Sequence, residues 1–271
     1  MSDRLEAAPS VHRFNRYEIK YLVEERKLPE LHAHLSERMD RDRHQSSATR
    51  VSSLYYDTRD LRFYWEKIEG LRFRRKLRIR VYGAPESIND RSESFVELKQ
   101  RVNRVTQKRR IRLSYAEARV LCDERRDPGG PPERAAVVQE VLVLTQNLDL
   151  RPTAITTYFR AGYMGREADL GLRVTIDHRV SGRDRDFHLA SDCPNQFIIP
   201  PHLAVVEVKV DERAPTWFTD LAARLELSTV RISKYCKAIE AATNGPRAPQ
   251  HAREFPGHDA PTPAASELVE P

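Results

Sequence analysis

The feature that most constrains this chain is the alternation in Arg72–Tyr82, where Arg72, Arg74, Lys76, Arg78 and Arg80 are each separated by one residue. In a β-strand, residues two apart point to the same face. One face of this segment is therefore cationic, and the other carries Phe73, Leu77, Ile79 and Val81. A helix would scatter both sets around its axis. The same parity recurs along the chain. Arg16, Glu18 and Lys20 share a face. Glu97, Lys99 and Arg101 oppose Val96, Leu98 and Val102. Lys108, Arg110 and Arg112 oppose Ile111 and Leu113. Arg173, Thr175, Asp177 and Arg179 oppose Leu172, Val174, Ile176 and Val180. Glu207 and Lys209 oppose Val206, Val208 and Val210. Glu-x-Lys with an apolar centre thus occurs at residues 18, 97 and 207. A sheet with one wet face also alternates, but a solvated face mixes neutral polar residues with both signs of charge. Here Arg and Lys dominate, with a few acids at matched positions.

Around these strands the remaining elements fall into order. Strands are expected over Arg13–Val23, Arg50–Asp57, Arg72–Tyr82, Ser94–Asn103, Gln107–Ser114, Thr153–Tyr163, Leu172–Ser181, Arg185–Ala190 and Leu203–Val210. Helices are expected over Lys27–Asp42, after Asp57-Thr58 (with the stripe Leu61, Trp65, Ile68), and over Tyr115–Glu124, Glu133–Leu148, Pro215–Leu227 and Arg231–Ala242. Strands punctuated by helices argue an α+β fold with an antiparallel sheet. About eight strands suffice for a closed barrel. The expected organisation is a disordered lead over 1–12, one domain over 13–244, and a disordered Pro-rich tail over 245–271.

The overall charge of the 271 residues is +6. Residues 70–112 hold 14 Lys/Arg against four acids, a net +10, so the remainder of the chain is net −4. One region carries the excess and should meet phosphate or a polyanion. No stretch approaches the 18 or so apolar residues of a membrane span. The start lacks a secretory leader pattern, and Cys122, Cys193 and Cys236 form no CxxC pair, which fits a reducing cytoplasm. The histidines lack metal spacing, and no Walker loop, nucleophile elbow or dinucleotide fingerprint is present. If the sheet closes with its charged face inward, the lumen holds fixed cations that need anions. Arg offers a fork to phosphate oxygens and Lys a point charge. The few carboxylates suit a divalent metal.

Taken together, these segments resemble the VTC domain, the polyphosphate polymerase module of the CYTH-like, or triphosphate tunnel metalloenzyme, superfamily. The matching segments are Arg16-Tyr-Glu-Ile-Lys20-Tyr21, Ser53-Leu-Tyr-Tyr-Asp57, Lys76-Leu-Arg-Ile-Arg80-Val-Tyr82-Gly83, Phe95-Val-Glu97-Leu-Lys99, Lys108-Arg-Arg110, Tyr158-Phe-Arg160, Arg173-Val-Thr-Ile-Asp177, Val206-Glu207-Val-Lys209 and Ser233-Lys234-Tyr235. Arg16 stands where the superfamily's hydrolases and cyclases place the first Glu of Glu-x-Glu-x-Lys, which favours the VTC branch. The resemblance implies a closed antiparallel barrel with a basic lumen and helices outside. It implies catalytic contacts from Lys20, Arg78, Arg80, Lys99, Lys108, Arg160 and Arg173, and substrate contacts from Lys76, Arg110, Lys209, Lys234 and Tyr56. One of Tyr55 and Tyr56 should face the core and the other the lumen. Glu207 would be the metal ligand for Mn²⁺ or Mg²⁺, helped by Glu18, Glu97 and Asp177. The implied reaction transfers the ATP γ-phosphate to inorganic polyphosphate, or to a phosphate or pyrophosphate primer. The alternatives are a tripolyphosphatase or nucleoside triphosphatase of the same fold, and a non-catalytic polyanion-binding module. Nucleic acid is disfavoured, because the basic face offers few aromatics for stacking.

Overall fold

The computed structural model describes residues 17–42, 49–103 and 105–243. The expected lead, the tail and Arg16 lie outside the described residues. One antiparallel sheet runs through eight strands in the order β1 (Tyr17–Glu24), β10 (Leu203–Val210), β8 (Arg173–Arg183), β7 (Arg151–Gly165), β3 (Thr49–Asp57), β4 (Phe73–Tyr82), β5 (Glu93–Val102) and β6 (Val105–Ser114). Two short strands flank it: β2 (Met39–Arg41) pairs with β7, and β9 (Gln196–Phe197) pairs with β8. The sheet curls, so that one face is concave and charged and the other convex and apolar.

The expected closed barrel is not closed by hydrogen bonds, since β1 and β6 are the sheet's two edges. Two physical reasons are visible. The free edge of β1 is already engaged: Val230 N–H donates to the Lys20 carbonyl at 2.8 Å, and Tyr21 bridges Thr229. The other edge, β6, carries Lys108, Arg110 and Arg112 exposed on one face, a run of cations that disfavours pairing with another strand. Side chains span the gap instead, with Glu18 on β1 lying 3.8 Å from Lys99 on β5.

The convex face is covered in two halves. Helices α3 (Tyr115–Cys122) and α4 (Ala135–Asn147) lie over Leu54, Leu77, Ile79, Val96, Leu98 and Ile111. Helices α1 (Leu28–Arg38) and α5 (Thr216–Arg224) lie over Tyr163, Val174, Ile176, Val206 and Val208. Each fully buried Leu, Ile or Val contributes about 1.5–3 kcal/mol. This burial, set by the odd–even pattern, forces the opposite parity to the concave side. A capping box starts α3: Ser114 accepts from Glu117 N–H, and Glu117 accepts from Ser114 N–H.

Helix α6 (Lys234–Thr243) does not join the outer layer. It packs on the concave side, where Tyr235, Cys236, Ala238 and Ile239 meet Val51, Tyr55, Tyr158 and Val180. Gly182 permits this approach, because a Cβ there would lie 2.7 Å from the Ile155 carbonyl and 3.2 Å from Ala238 Cβ. Helix α2 (Arg62–Ile68) straddles the rim, sending Phe63 to the outer core and Tyr64 and Trp65 against α6. Asp57 ties these pieces together. Its buried carboxylate accepts from Thr58 N–H at 2.7 Å, Phe63 N–H at 2.8 Å, Tyr64 N–H at 3.0 Å and the Tyr235 hydroxyl. Burial pushes its pKa up to about 6 despite these donors. Asp57→Ala leaves these donors unsatisfied and is expected to cost on the order of 3 kcal/mol, measured by urea unfolding. A cost under about 1 kcal/mol, the value of a single ordinary hydrogen bond, would contradict this account.

Several local expectations need correction. The end of the Lys27–Asp42 helix is strand β2, because Met39 pairs with Gly165 on β7 and buries itself there. Arg185–Ala190 is not a strand. It is a loop held by Arg183, whose guanidinium donates to the Arg185, Asp186 and His188 carbonyls. In α2 the buried residues are Phe63–Glu66, while Ile68 is exposed. In β8, a register shift against β7 and a positive φ at Arg179 break the two-residue period. Val180, not Arg179, therefore continues inward, and Arg179 stands exposed over the Phe197 ring.

Candidate functional site

The concave face gathers charged side chains from β1, β10, β8, β7, β4, β5 and β6, and they sort into two connected clusters. The first centres on Glu207 and Asp177. Arg160 forks onto Asp177 with bonds of 2.5 and 2.6 Å. Lys234, at the start of α6, lies 2.5 Å from Asp177 and 3.0 Å from Glu207. Lys20 lies 3.3 Å from Glu207 and 3.0 Å from Glu18. Burial alone would raise the pKa of Glu207, but Lys234, Lys20 and Arg160 outweigh it and hold the carboxyl well below the usual range. Asp177 is likewise lowered against its burial by Arg160 and Lys234. Glu18 falls to about 2, as Lys20 and Lys99 overcome its own burial.

The second cluster centres on Glu97. Arg78 donates to it at 2.7 Å, Lys108 lies at 2.6 Å, Arg110 at 3.5 Å and Arg80 at 3.8 Å. Strand register explains the gathering: Arg78, Glu97 and Arg110 stand side by side across β4, β5 and β6. The next row outward is Lys76, Lys99 and Lys108, three lysines abreast. Like charges directly opposite are unfavourable, so this row calls for an anion. Arg78 also donates to the Tyr55 hydroxyl at 2.9 Å, and Tyr55 stacks on Tyr235 with centroids 5.1 Å apart. Arg80 donates to Ser53 and to the Tyr158 hydroxyl.

Two interior lysines stand apart. Lys76 donates to Ser233 Oγ at 2.7 Å, and no carboxylate lies within ion-pair distance of Lys76 or Lys209 among the described residues. Burial, with Lys20 and Lys99 nearby, brings Lys76 down to about 8. Burial, reinforced by Arg160 and Lys99, does the same to Lys209 despite Glu207 and Glu18. Tyr55 is pushed up by burial, but Arg78, Arg80 and Lys76 more than reverse it and leave it at about 8.

The structure thus brings together Lys20, Lys76, Arg78, Arg80, Lys99, Lys108, Arg110, Arg160, Lys209 and Lys234 with Glu18, Glu97, Asp177 and Glu207. Arg173 shares this face at the far end of β8, where it donates to Asp42 at 2.9 Å. Tyr56 does not join them. It lies in the outer core, its hydroxyl donating to Asp123 at 2.6 Å, so Tyr55 is the tyrosine of the concave face. Tyr158 and Ser233 carry no role in the sequence reading. Tyr158 was legible by parity, two residues from Arg160. Ser233 had no strand pattern to reveal it.

No group of three or more Asp, Glu, His or Cys that could hold a metal is present among the described residues. Glu18 and Glu207 nevertheless fit one. They converge on the same Lys20 ammonium, and both are hard oxygen donors. Thr175 Oγ1, in register beside Glu207, is buried without a hydrogen-bond partner. Mg²⁺ or Mn²⁺ commonly takes one or two carboxylates and completes its shell with water and phosphate oxygens. Asp177 and Glu97 have cations within 2.7 Å of both carboxylate oxygens and serve as counter-charges, whereas one oxygen of Glu207 and one of Glu18 meet a cation only at 3.7 and 3.8 Å.

Fold and lining define an open antiparallel α+β cup with an ion-paired cationic floor. The chain belongs to the VTC domain family, whose model matches residues 15–243. No curated protein matches it. Among solved structures it is similar to a Bacillus halodurans protein named as a proposed adenylate cyclase, at 16% identity, covering 81% of this chain and 95% of that one, with a TM-score of 0.48. It is also similar to a Pyrococcus horikoshii protein at 12% identity, covering 83% and 99%, with a TM-score of 0.41. No helix among the described residues is long and apolar enough to cross a membrane.

Proposed function

We propose that this protein is a metal-dependent polyphosphate polymerase acting on ATP. The observation that carries the reading is the pair Lys76 and Lys209, two interior ammonium groups that, among the described residues, have no carboxylate within ion-pair distance, on a face where Glu18, Glu97, Asp177 and Glu207 are already paired. Such a face favours a multivalent anion, and membership of the VTC family supports a polyphosphate or triphosphate as that anion. In the reaction, an oxygen of the terminal acceptor phosphate attacks the γ-phosphorus. The bond to the β-phosphate bridging oxygen breaks and ADP leaves. One phosphoanhydride is lost and one is formed. The attacking oxygen is already anionic, so no strong base is needed, and alignment and charge neutralisation do most of the work. Lys20, Lys76, Arg78, Lys99 and Lys209 would hold phosphate oxygens. Arg160, Asp177 and Lys234 would fix the position of Glu207. A divalent cation on Glu207 and Glu18 would neutralise developing charge on phosphate oxygens.

Phosphorus NMR of the protein with ATP and Mg²⁺ tests the reading. Resonances of internal chain phosphates alongside ADP support it. Orthophosphate alone means water is the acceptor and the protein is a triphosphatase. Binding without turnover leaves a polyanion-binding module.

The pH dependence of binding follows from the same groups. As pH rises through about 8, Lys76 and Lys209 lose their protons and Tyr55 gains negative charge. Tripolyphosphate affinity is therefore expected to fall above pH 8. Near that pH, binding is expected to take up protons, because a bound phosphate raises the lysine pKa values. Calorimetry in two buffers of different ionisation enthalpy measures this uptake. Affinity that does not change across that range, with no proton uptake, would contradict the assignment.

A further inference from the structure

Beyond the site lies a group of cations that neither the ion-pair clusters nor the proposed reaction uses. Arg74 and Arg101 stand directly opposite each other on β4 and β5, one row outward from Lys76 and Lys99 and on the same face. Lys67, on α2, has Arg74, Lys20 and Arg231 as cationic neighbours, and Arg74 has Arg101 and Arg231. Among the described residues no carboxylate lies within ion-pair distance of Lys67, Arg74, Arg101 or Arg231, and the Arg101 guanidinium donates only to the Asn103 carbonyl. Burial and these neighbours push both Lys67 and Arg74 below their ordinary pKa values. An open depression of about 300 Å³, lined by Glu18, Ile19, Lys20, Thr229, Val230 and Arg231, brings Arg231 of this group and Lys20 of the site to one surface. It lies at the edge of β1, where residues 229–231 run beside that strand.

We infer that Lys67, Arg74, Arg101 and Arg231 form a second anion subsite at the mouth of the cup, which holds inorganic polyphosphate chains longer than tripolyphosphate as they pass Lys20. The inference rests on the reading of the site as one for linear phosphates. Opposed arginines without acids are costly when empty and favourable when a polyanion lies between them. The row continues the lysine row of the site, so one chain can touch both. A single-stranded nucleic acid fits less well. Phe73, the exposed ring next to Arg74 in sequence, belongs to the other face of β4 and lies against Arg75, so it offers bases no stacking platform beside these cations.

The test compares binding of tripolyphosphate and of long-chain polyphosphate to the full chain, wild type and the triple variant Arg74→Gln, Arg101→Gln, Arg231→Gln, across a salt series. The wild type is expected to hold the long chain more tightly. In the variant, tripolyphosphate affinity should stay within about twofold, while long-chain affinity falls about tenfold at low salt. Its salt slope should become shallower by about 0.7 per cation removed, as for single-stranded polyanions. The triple Lys variant, which keeps the charge, should retain the wild-type slope. Melting temperature should not fall in the Gln variant, since it relieves repulsion. An unchanged long-chain affinity and slope in the Gln variant overturns the subsite. So does equal competition by single-stranded RNA of the same charge. Synthesis of chains from ATP is scored separately. A wild type that makes none but shows this length dependence sinks the polymerase reading and leaves the subsite standing. One that makes chains without length-dependent binding overturns the subsite alone.

Discussion

Asp177→Asn is expected to lower the unfolding free energy by about 3–5 kcal/mol. Asp177 is fully buried, takes both fork bonds of Arg160 and lies 2.5 Å from Lys234. The amide keeps the volume but removes the charge. Two buried cations are then left with Glu207 as their nearest compensation, and Glu207 already serves Lys20. Breaking a buried network by removing one partner is far more costly than the net worth of the pairs. Urea unfolding should show a lower midpoint at an unchanged slope. A loss under about 1 kcal/mol, the level of an exposed pair, would mean that water reaches this cluster. The same network sets an acid limit. A lowered carboxyl pKa stabilises the fold above its unfolded value and loses that contribution as pH falls through the folded one. For Glu18 the window runs from 4.5 down to about 2.

Lys209→Met is expected to do the opposite to stability while costing turnover on the order of 10²-fold, the scale of losing one preorganised charge-stabilising donor. Lys209 is interior, has no carboxylate within ion-pair distance among the described residues, and is pulled down to about 8 by burial and cationic neighbours. Removing it relieves desolvation and repulsion from Arg160 and Lys99, so the melting temperature should rise or hold. Lys76→Met should behave alike, tempered by its lost bond to Ser233. Loss of activity with gain of stability marks a group held under strain for a ligand. A structural lysine would lose both. Steady-state kinetics and a thermal melt on the same preparation separate the outcomes, and unchanged turnover in both variants would remove these lysines from the site.

Much of this was legible in strand parity. Arg78, Glu97 and Lys99 announce their common face by two-residue spacing, and burial of Leu77, Ile79 and Leu98 enforces it. Parity could not say which cations an acid meets across strands. That depends on register, which set Arg78, Glu97 and Arg110 in one row and Lys76, Lys99 and Lys108 in the next. Nor could it foresee that α6 enters the concave side. The apolar stripe of α6 is the same whether it packs outside or inside. Gly182, the Asp57–Tyr235 bond and the Lys234 ion pairs favour the inner position, and all of them act between residues far apart in sequence. Choosing Tyr56 over Tyr55 failed for a related reason. Adjacent residues on one strand face opposite sides, and both are aromatic, so hydropathy could not choose between them. Strand count does not reveal the open seam, because the Thr229–Val230 segment, which has no strand signature, occupies the edge of β1.

In the proposed reaction the cationic floor of this cup joins phosphates drawn from ATP into chains. The most direct measurement is to incubate the protein with ATP and Mn²⁺ and resolve the products on a gel, beside Glu207→Gln, Lys99→Ala and Lys209→Met. Long phosphate chains are expected from the wild type, dependent on the divalent ion, with loss on the order of 10²-fold in each variant. Free orthophosphate without chains from the wild type would contradict this reaction, as would chains formed at full rate by all three variants.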